Sequence, residues 1–144
     1  MTTSLIRGLF LGAAILFVSS VPGWASSTVN VTLTGDAGDK MGVTLDTTAV
    51  PAGIVKFVVK NGADVTDHEM VVVKLKTKGE MMPMMEGKHR VDEDKLMSMG
   101  EVSELQPGAS GEMSAQLGEG DYFLLCNLKS HYEAGMFATF TVTK

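Results

Sequence analysis

From Thr28 the chain alternates with a period of two: Val29, Val31 and Leu33 fall on one side, Thr28, Asn30, Thr32 and Thr34 on the other. Such alternation predicts a strand with one buried face. Gly35 to Asp39 reads as a turn, and Met41 to Leu45 resumes a short extended run. Val50-Pro51-Ala52-Gly53 is a second turn, since proline fixes its own φ and glycine permits reversal. Ile54 to Lys60, rich in β-branched and aromatic residues, predicts a strand closed by the turn signal Asn61-Gly62. Another strand follows in Asp67 to Lys76. Thr77 to Gly100 then breaks the rhythm, with Met81-Met82-Pro83-Met84-Met85 and a polar Val91 to Met99 stretch that predicts a short helix. Strands resume over Glu101 to Leu105, Gly111 to Leu117 and Asp121 to Leu125, separated by turns at Gln106 to Ala109 and Gly118 to Gly120. The last run, Phe137 to Thr143, alternates Ala138, Phe140 and Val142 with three threonines. Seven or eight short strands at close intervals, without a long amphipathic helix, predict an all-β, antiparallel sandwich. The methionine-rich segment is expected to lie across it as an insertion.

The first 25 residues stand apart. Arg7 precedes an apolar run from Gly8 to Val18, and Gly23-Trp24-Ala25 offers small residues before a cut after Ala25. This is the layout of a secretory signal peptide. The run is too short for the roughly 20 apolar residues of a membrane-spanning helix. Residues 26–144 then form one exported domain, periplasmic or secreted, with no stable membrane insertion expected. The formal charge of −5 becomes more negative by one without Arg7. That balance argues against nucleic acid and anionic membranes and favours a basic or mixed partner reached by electrostatic steering.

The single cysteine of an exported chain makes no internal disulfide, so it is a buried spectator, a nucleophile, half of an intermolecular bridge or a metal ligand. Its neighbourhood favours the last. Cys126-Asn-Leu-Lys-Ser-His131-Tyr-Glu-Ala-Gly-Met136 places a thiolate, an imidazole and a thioether on one loop between two strands, able to fold back onto one ion. A trigonal site of two histidines and one cysteine with a distant axial methionine is a blue-copper electron-transfer centre. That arrangement requires a second imidazole upstream on a rigid strand. His68, in Thr66-Asp67-His68-Glu69-Met70, meets the requirement. A Cys/His nucleophile pair fits less well, because no orienting third group or oxyanion loop is recognisable.

With these residues in place, the chain resembles the cupredoxin family, the small blue copper proteins that include plastocyanins, azurins and rusticyanins. The resemblance rests on the strand bearing His68, on the approach Gly118-Glu-Gly-Asp-Tyr-Phe-Leu-Leu-Cys126, on the loop to Met136 and on the closing strand Thr139-Phe-Thr-Val-Thr143. It implies a Greek-key β-sandwich holding one copper ion as cofactor. His68, Cys126 and His131 would form the metal plane, with Met136 axial. The protein would be an electron carrier rather than an enzyme, a monomer docking donor and acceptor redox proteins transiently near His131 and Met136. Many members have Pro-Gly before the loop histidine, where this chain has Lys129-Ser130, and Asn or Ser after the first histidine, where it has Glu69. A carboxylate so close would alter the tuning of the site, while the Glu69 backbone N–H would still reach the thiolate.

The run Met81 to Met85, with Met97 and Met99 nearby, has a bland reading as an apolar flap packed on the sandwich. Thioethers also select Cu(I), so the rival reading is a periplasmic copper chaperone or resistance protein. A third is a metal-free binding module. His89, between Lys88 and Arg90, is expected to be a solvated surface residue.

Overall fold

The computed structural model describes residues 25–37 and 39–144; the proposed leader, up to its cut after Ala25, lies outside them except for Ala25 itself, where the first strand begins. Among the described residues, nine strands build two facing sheets. They are β1 (Ala25–Thr34), β2 (Gly42–Leu45), β3 (Ala49–Pro51), β4 (Gly53–Asn61), β5 (His68–Lys74), β6 (Met97–Leu105), β7 (Ser110–Leu117), β8 (Gly120–Leu125) and β9 (Phe137–Thr143). One sheet has the order β2-β1-β4-β7, the other β3-β9-β8-β5-β6.

The sandwich is therefore all-β as expected, but its sheets are mixed rather than purely antiparallel. β1 runs parallel to β4, and β3 parallel to β9. The cause lies at Val50 to Gly53, which crosses between sheets instead of reversing within one. Val50 pairs with Val142 in the second sheet, and Gly53 pairs with Ala25 in the first. Proline on a short edge strand sacrifices little, because an edge leaves backbone donors unpaired in any case.

Val29, Val31 and Leu33 face inward, as their alternation requires, against Val55, Phe57 and Val59 of β4 and Tyr122, Leu124 and Phe140 of the opposite sheet. Phe57 and Phe140 meet edge to face across the core, with ring centroids 5.6 Å apart. Burying each such side chain contributes about 1.5–3 kcal/mol. β5 departs from alternation, since Met70, Val71, Val72 and Val73 are all buried. Met70 and Val72 face the main core, while Val71 and Val73 join Phe123 and Leu125 in a second cluster with Leu75, Met82 and Val91. The insertion thus covers the outer face of the five-stranded sheet.

Within that insertion only Glu93–Lys95 forms a 3₁₀ turn, and β6 begins at Met97. The expected short helix is confined to this turn because the residues after it are taken into pairing with β5. Residues 83–92 fold as a small hairpin, held by Asp92 N–H to Pro83 O at 2.7 Å and Met85 N–H to Arg90 O at 2.8 Å. Asn61, fully buried, donates to the carbonyls of Thr66 and Leu105 and accepts from Ala63 N–H, tying the approach to β5 against the end of β6. No helix among the described residues is long and apolar enough to cross a membrane.

Candidate metal centre

Four strand ends converge at one pole of the sandwich. β5 starts with His68, β8 leads directly into Cys126, β9 follows Met136, and β1 leads into Gly35. The loop from Asn127 to Met136 is wound in successive turns: His131 N–H donates to Leu128 O, Ala134 N–H to Ser130 O and Met136 N–H to His131 O, each at 3.0 Å. Cys126 N–H donates to Met136 O at 3.1 Å and closes the loop on itself. Ser130, in the slot before the loop histidine, has φ 70°, a left-handed conformation that glycine adopts more easily.

Here the structure brings His68, Cys126 and His131 together, their donor atoms all within 4.8 Å of one another. His131 Nδ1 lies 3.3 Å from His68 Nδ1 and 3.3 Å from Cys126 Sγ. Among the described residues this is the only grouping of three histidine, cysteine or carboxylate side chains suited to hold a metal. A first-row ion lies roughly 2.0–2.3 Å from nitrogen and sulfur donors, so separations of this size are what a single bound ion spans. His68 and Cys126 are fully buried and His131 is half-buried. Met136 is also fully buried, between the loop and β9.

The tautomer of His68 is fixed by its surroundings. Its Nε2 lies 2.9 Å from the carbonyl of Gly35, which can only accept. Nε2 therefore carries the proton, and Nδ1 turns its lone pair toward His131 and Cys126. Gly35 has φ +107°, and a Cβ there would stand 2.7 Å from Met41 Cα and 2.8 Å from Lys40 O. Only glycine fits where that carbonyl is presented.

At Cys126 Sγ the donor is the backbone N–H of Glu69, at 3.4 Å, as anticipated. A register shift between His68 and Met70 releases this N–H from the ladder with β6. The Glu69 carboxylate accepts from Asn127 N–H at 3.1 Å. Burial, together with the nearby Glu101 and Glu93 charges, pushes the Glu69 carboxyl up.

The insertion grips the loop from behind. Asn127, 3% exposed, accepts from Val91 N–H at 2.6 Å and donates to Val91 O at 3.0 Å and Glu93 Oε1 at 2.6 Å. His89 is exposed, as expected, yet its carbonyl accepts from Ser130 N–H at 2.7 Å and its ring meets Glu133 Oε2 at 2.9 Å. Sequence reasoning missed Gly35 and Asn127. Gly35 at the start of a turn was the one available hint.

Burial pushes the Cys126 thiol up to about 11, against the opposing pull of the Glu69 and Leu128 N–H groups. Burial first, then His68 and Arg90, lowers His131. At neutral pH the pair is thus a thiol and a neutral imidazole. A metal bound by the thiolate must displace that proton. Uptake at pH 7 is expected to release about one proton, and apparent affinity to rise about tenfold per pH unit until the thiol itself ionises. Isothermal titration in buffers of different ionisation enthalpy measures the proton count; none released would mean the sulfur is not a ligand.

No family model matches the sequence, and no curated protein matches it. Solved structures do. Auracyanin from the photosynthetic bacterium Roseiflexus castenholzii, in its reduced form, matches with TM-score 0.55 at 19% identity, over 85% of this chain and all of that one. Auracyanin A of Chloroflexus aurantiacus, a blue copper protein, matches with TM-score 0.53 at 14% identity, over 81% and 99%. Rusticyanin from Thiobacillus ferrooxidans matches with TM-score 0.54 at 16% identity, over 81% and 77%. The shared architecture is that of the small copper proteins the sequence resembles: this chain has the cupredoxin fold.

Proposed function

We propose that the chain is an exported blue copper protein that carries single electrons between redox partners. The observation that supports this most directly is the convergence of His68 Nδ1, His131 Nδ1 and Cys126 Sγ at a buried pole, with one imidazole already held in the ligating tautomer. These three side chains would hold copper, with the buried Met136 thioether as a weaker fourth donor. Copper so bound supplies a one-electron Cu(I)/Cu(II) couple.

The chain's own residues supply the rest. His68 is fixed by Gly35, and Cys126 by the Glu69 N–H and by its place directly after β8, so the donors need little rearrangement when charge changes. Four protein donors leave no open position for a substrate, which favours a carrier over an enzyme. His131 is more exposed than the other ligands, and is the natural point of electron exit. The deciding experiment is the absorption and EPR spectrum of residues 26–144 loaded with Cu(II). An intense thiolate-to-copper band with narrow copper hyperfine splitting is expected. A colourless, tetragonal copper spectrum would overturn the reading.

Replacing Met136 by leucine preserves volume and removes the thioether. The coloured site is expected to persist with a raised reduction potential, because the thioether donor would no longer stabilise Cu(II). Voltammetry reads this directly, and an unchanged potential would remove Met136 from the ligand set.

A further inference from the structure

Beside the ligand loop, on the outer face of the five-stranded sheet, lies a groove of about 690 Å³ that the electron-carrier reading does not by itself require. Met81, Met82 and Met84 of the insertion form one side, and Phe123, Tyr132 and Phe137 the other. The aromatic side is continuous, with Phe137 centred 5.2 Å from both Phe123 and Tyr132. Met82 is nearly buried in the second core, whereas Met81 is 90% exposed and Phe137 38% exposed. Large apolar side chains so placed make an adhesive surface rather than a packed one, and methionine adapts its shape to what it meets.

Charge selects the occupant. Glu80 and Glu133 line the groove, and no lysine, arginine or histidine does. Glu133 is paired only with the exposed His89, and Glu80 forms no ion pair among the described residues. Its carboxylate accepts from Lys76 N–H at 3.1 Å. The groove lining is thus mainly apolar with two carboxylates and no cation, while Lys74, Lys76 and Lys95 lie in the adjoining pocket beyond Glu80 and Met81. His131 does not line it, so it is separate from an end-on approach to that imidazole. Tyr132 and Phe137 nonetheless follow His131 and Met136 directly in the chain. A guest here would touch the ligand loop at Tyr132, Glu133 and Gly135 while leaving His131 uncovered.

We propose that this groove receives a segment of a redox partner protein that presents an apolar or aromatic side chain flanked by lysine or arginine. The proposal names the partner's chemistry for the carrier function and rests on that reading for the partner being a redox protein. Binding itself does not depend on copper. The apolar residue would lie between the methionines and the Phe123–Phe137–Tyr132 side, and the flanking cations would approach Glu80 and Glu133. Anchoring by one buried aromatic side chain within a charged rim is the usual anatomy of such contacts.

The test uses a capped lysine-tryptophan-lysine peptide and its glutamate-tryptophan-glutamate counterpart, each titrated into the isotope-labelled full chain and followed by amide NMR. The basic peptide is expected to shift residues 79–84 and 132–139, and the acidic one to bind at least about tenfold more weakly. Met81→Ser, an exposed change that leaves the core intact, is expected to weaken binding of the basic peptide about tenfold. With copper bound, the basic peptide should slow electron transfer to a basic cytochrome c to a similar degree. Shifts spread over other acidic surfaces, equal binding of both peptides, or no effect of Met81→Ser would overturn the groove as the site. Binding in the groove without slowed electron transfer would overturn its role as a redox docking surface. The same titration on copper-free protein separates failure of the groove from failure of the copper reading.

Discussion

Cys126→Ser is expected to abolish the thiolate-to-copper band completely, rather than weaken it, while the sandwich stays folded. The colour would arise from charge transfer out of the sulfur, and a hydroxyl at the same place has no equivalent donor orbital. The fold should survive because serine is smaller and its hydroxyl has partners ready: His131 Nδ1 lies 3.3 Å from the present sulfur, and the Glu69 N–H 3.4 Å. With a small shift of the loop the Glu69 N–H and the half-buried His131 Nδ1 can both pair with the hydroxyl, and the penalty stays near that of a single small core change, about 1 kcal/mol. Visible absorption reports the first half and far-ultraviolet circular dichroism with thermal melting the second. A band that persists would remove Cys126 from the site, and a collapsed fold would show that the thiol is structural.

Asn127→Ala should be far more damaging to stability although Asn127 ligates nothing. The truncation removes the partner of both Val91 N–H and Val91 O, beside a nearly buried side chain, and removes a donor from Glu93. Each buried backbone group left unpaired costs about 1–3 kcal/mol, so a loss of about 3 kcal/mol is expected. For a domain of this size that lowers the melting temperature by roughly 10 °C. Because the same residue follows Cys126 and its N–H is held by Glu69, the copper spectrum should also broaden in the variant. Glu93→Gln keeps an acceptor for the Asn127 amide and should restore neither loss nor gain, behaving as the parent. If Asn127→Ala melts within about 2 °C of the parent, the clamp between insertion and ligand loop carries no weight.

The candidate ligand set was legible because its chemistry is local. Cys126, His131 and Met136 share one loop, and thiolate, imidazole and thioether in that order have few other uses. His68 was legible only by requirement, as the second imidazole the set lacked, and the fold places it there by antiparallel pairing of β5 with β8. Strands with one wet face, such as β1, announced themselves by alternation. β5 did not, because the insertion covers its second face and a doubly buried strand reads as a continuous apolar run. The crossing at Val50 to Gly53 was hidden for another reason: a reversal and a sheet change use the same proline and glycine, and only the distant partners Val142 and Ala25 distinguish them. Asn127 and Gly35 were silent because their roles depend on what lies opposite them, Val91 and His68, far away in the chain.

The direction of β1 has a practical consequence. The strand enters at Ala25 and runs ten residues to Thr34 before reaching Gly35 and the histidine it holds. At about 3.3 Å per residue, its two ends lie roughly 30 Å apart. Any tether placed ahead of Ala25, whether to a resin, an electrode or a lipid layer, therefore grips the molecule at the far end from its ligands. Immobilised in that way, the protein would stand with the pole that carries His68, Cys126 and His131 outward and its loop histidine turned toward solution.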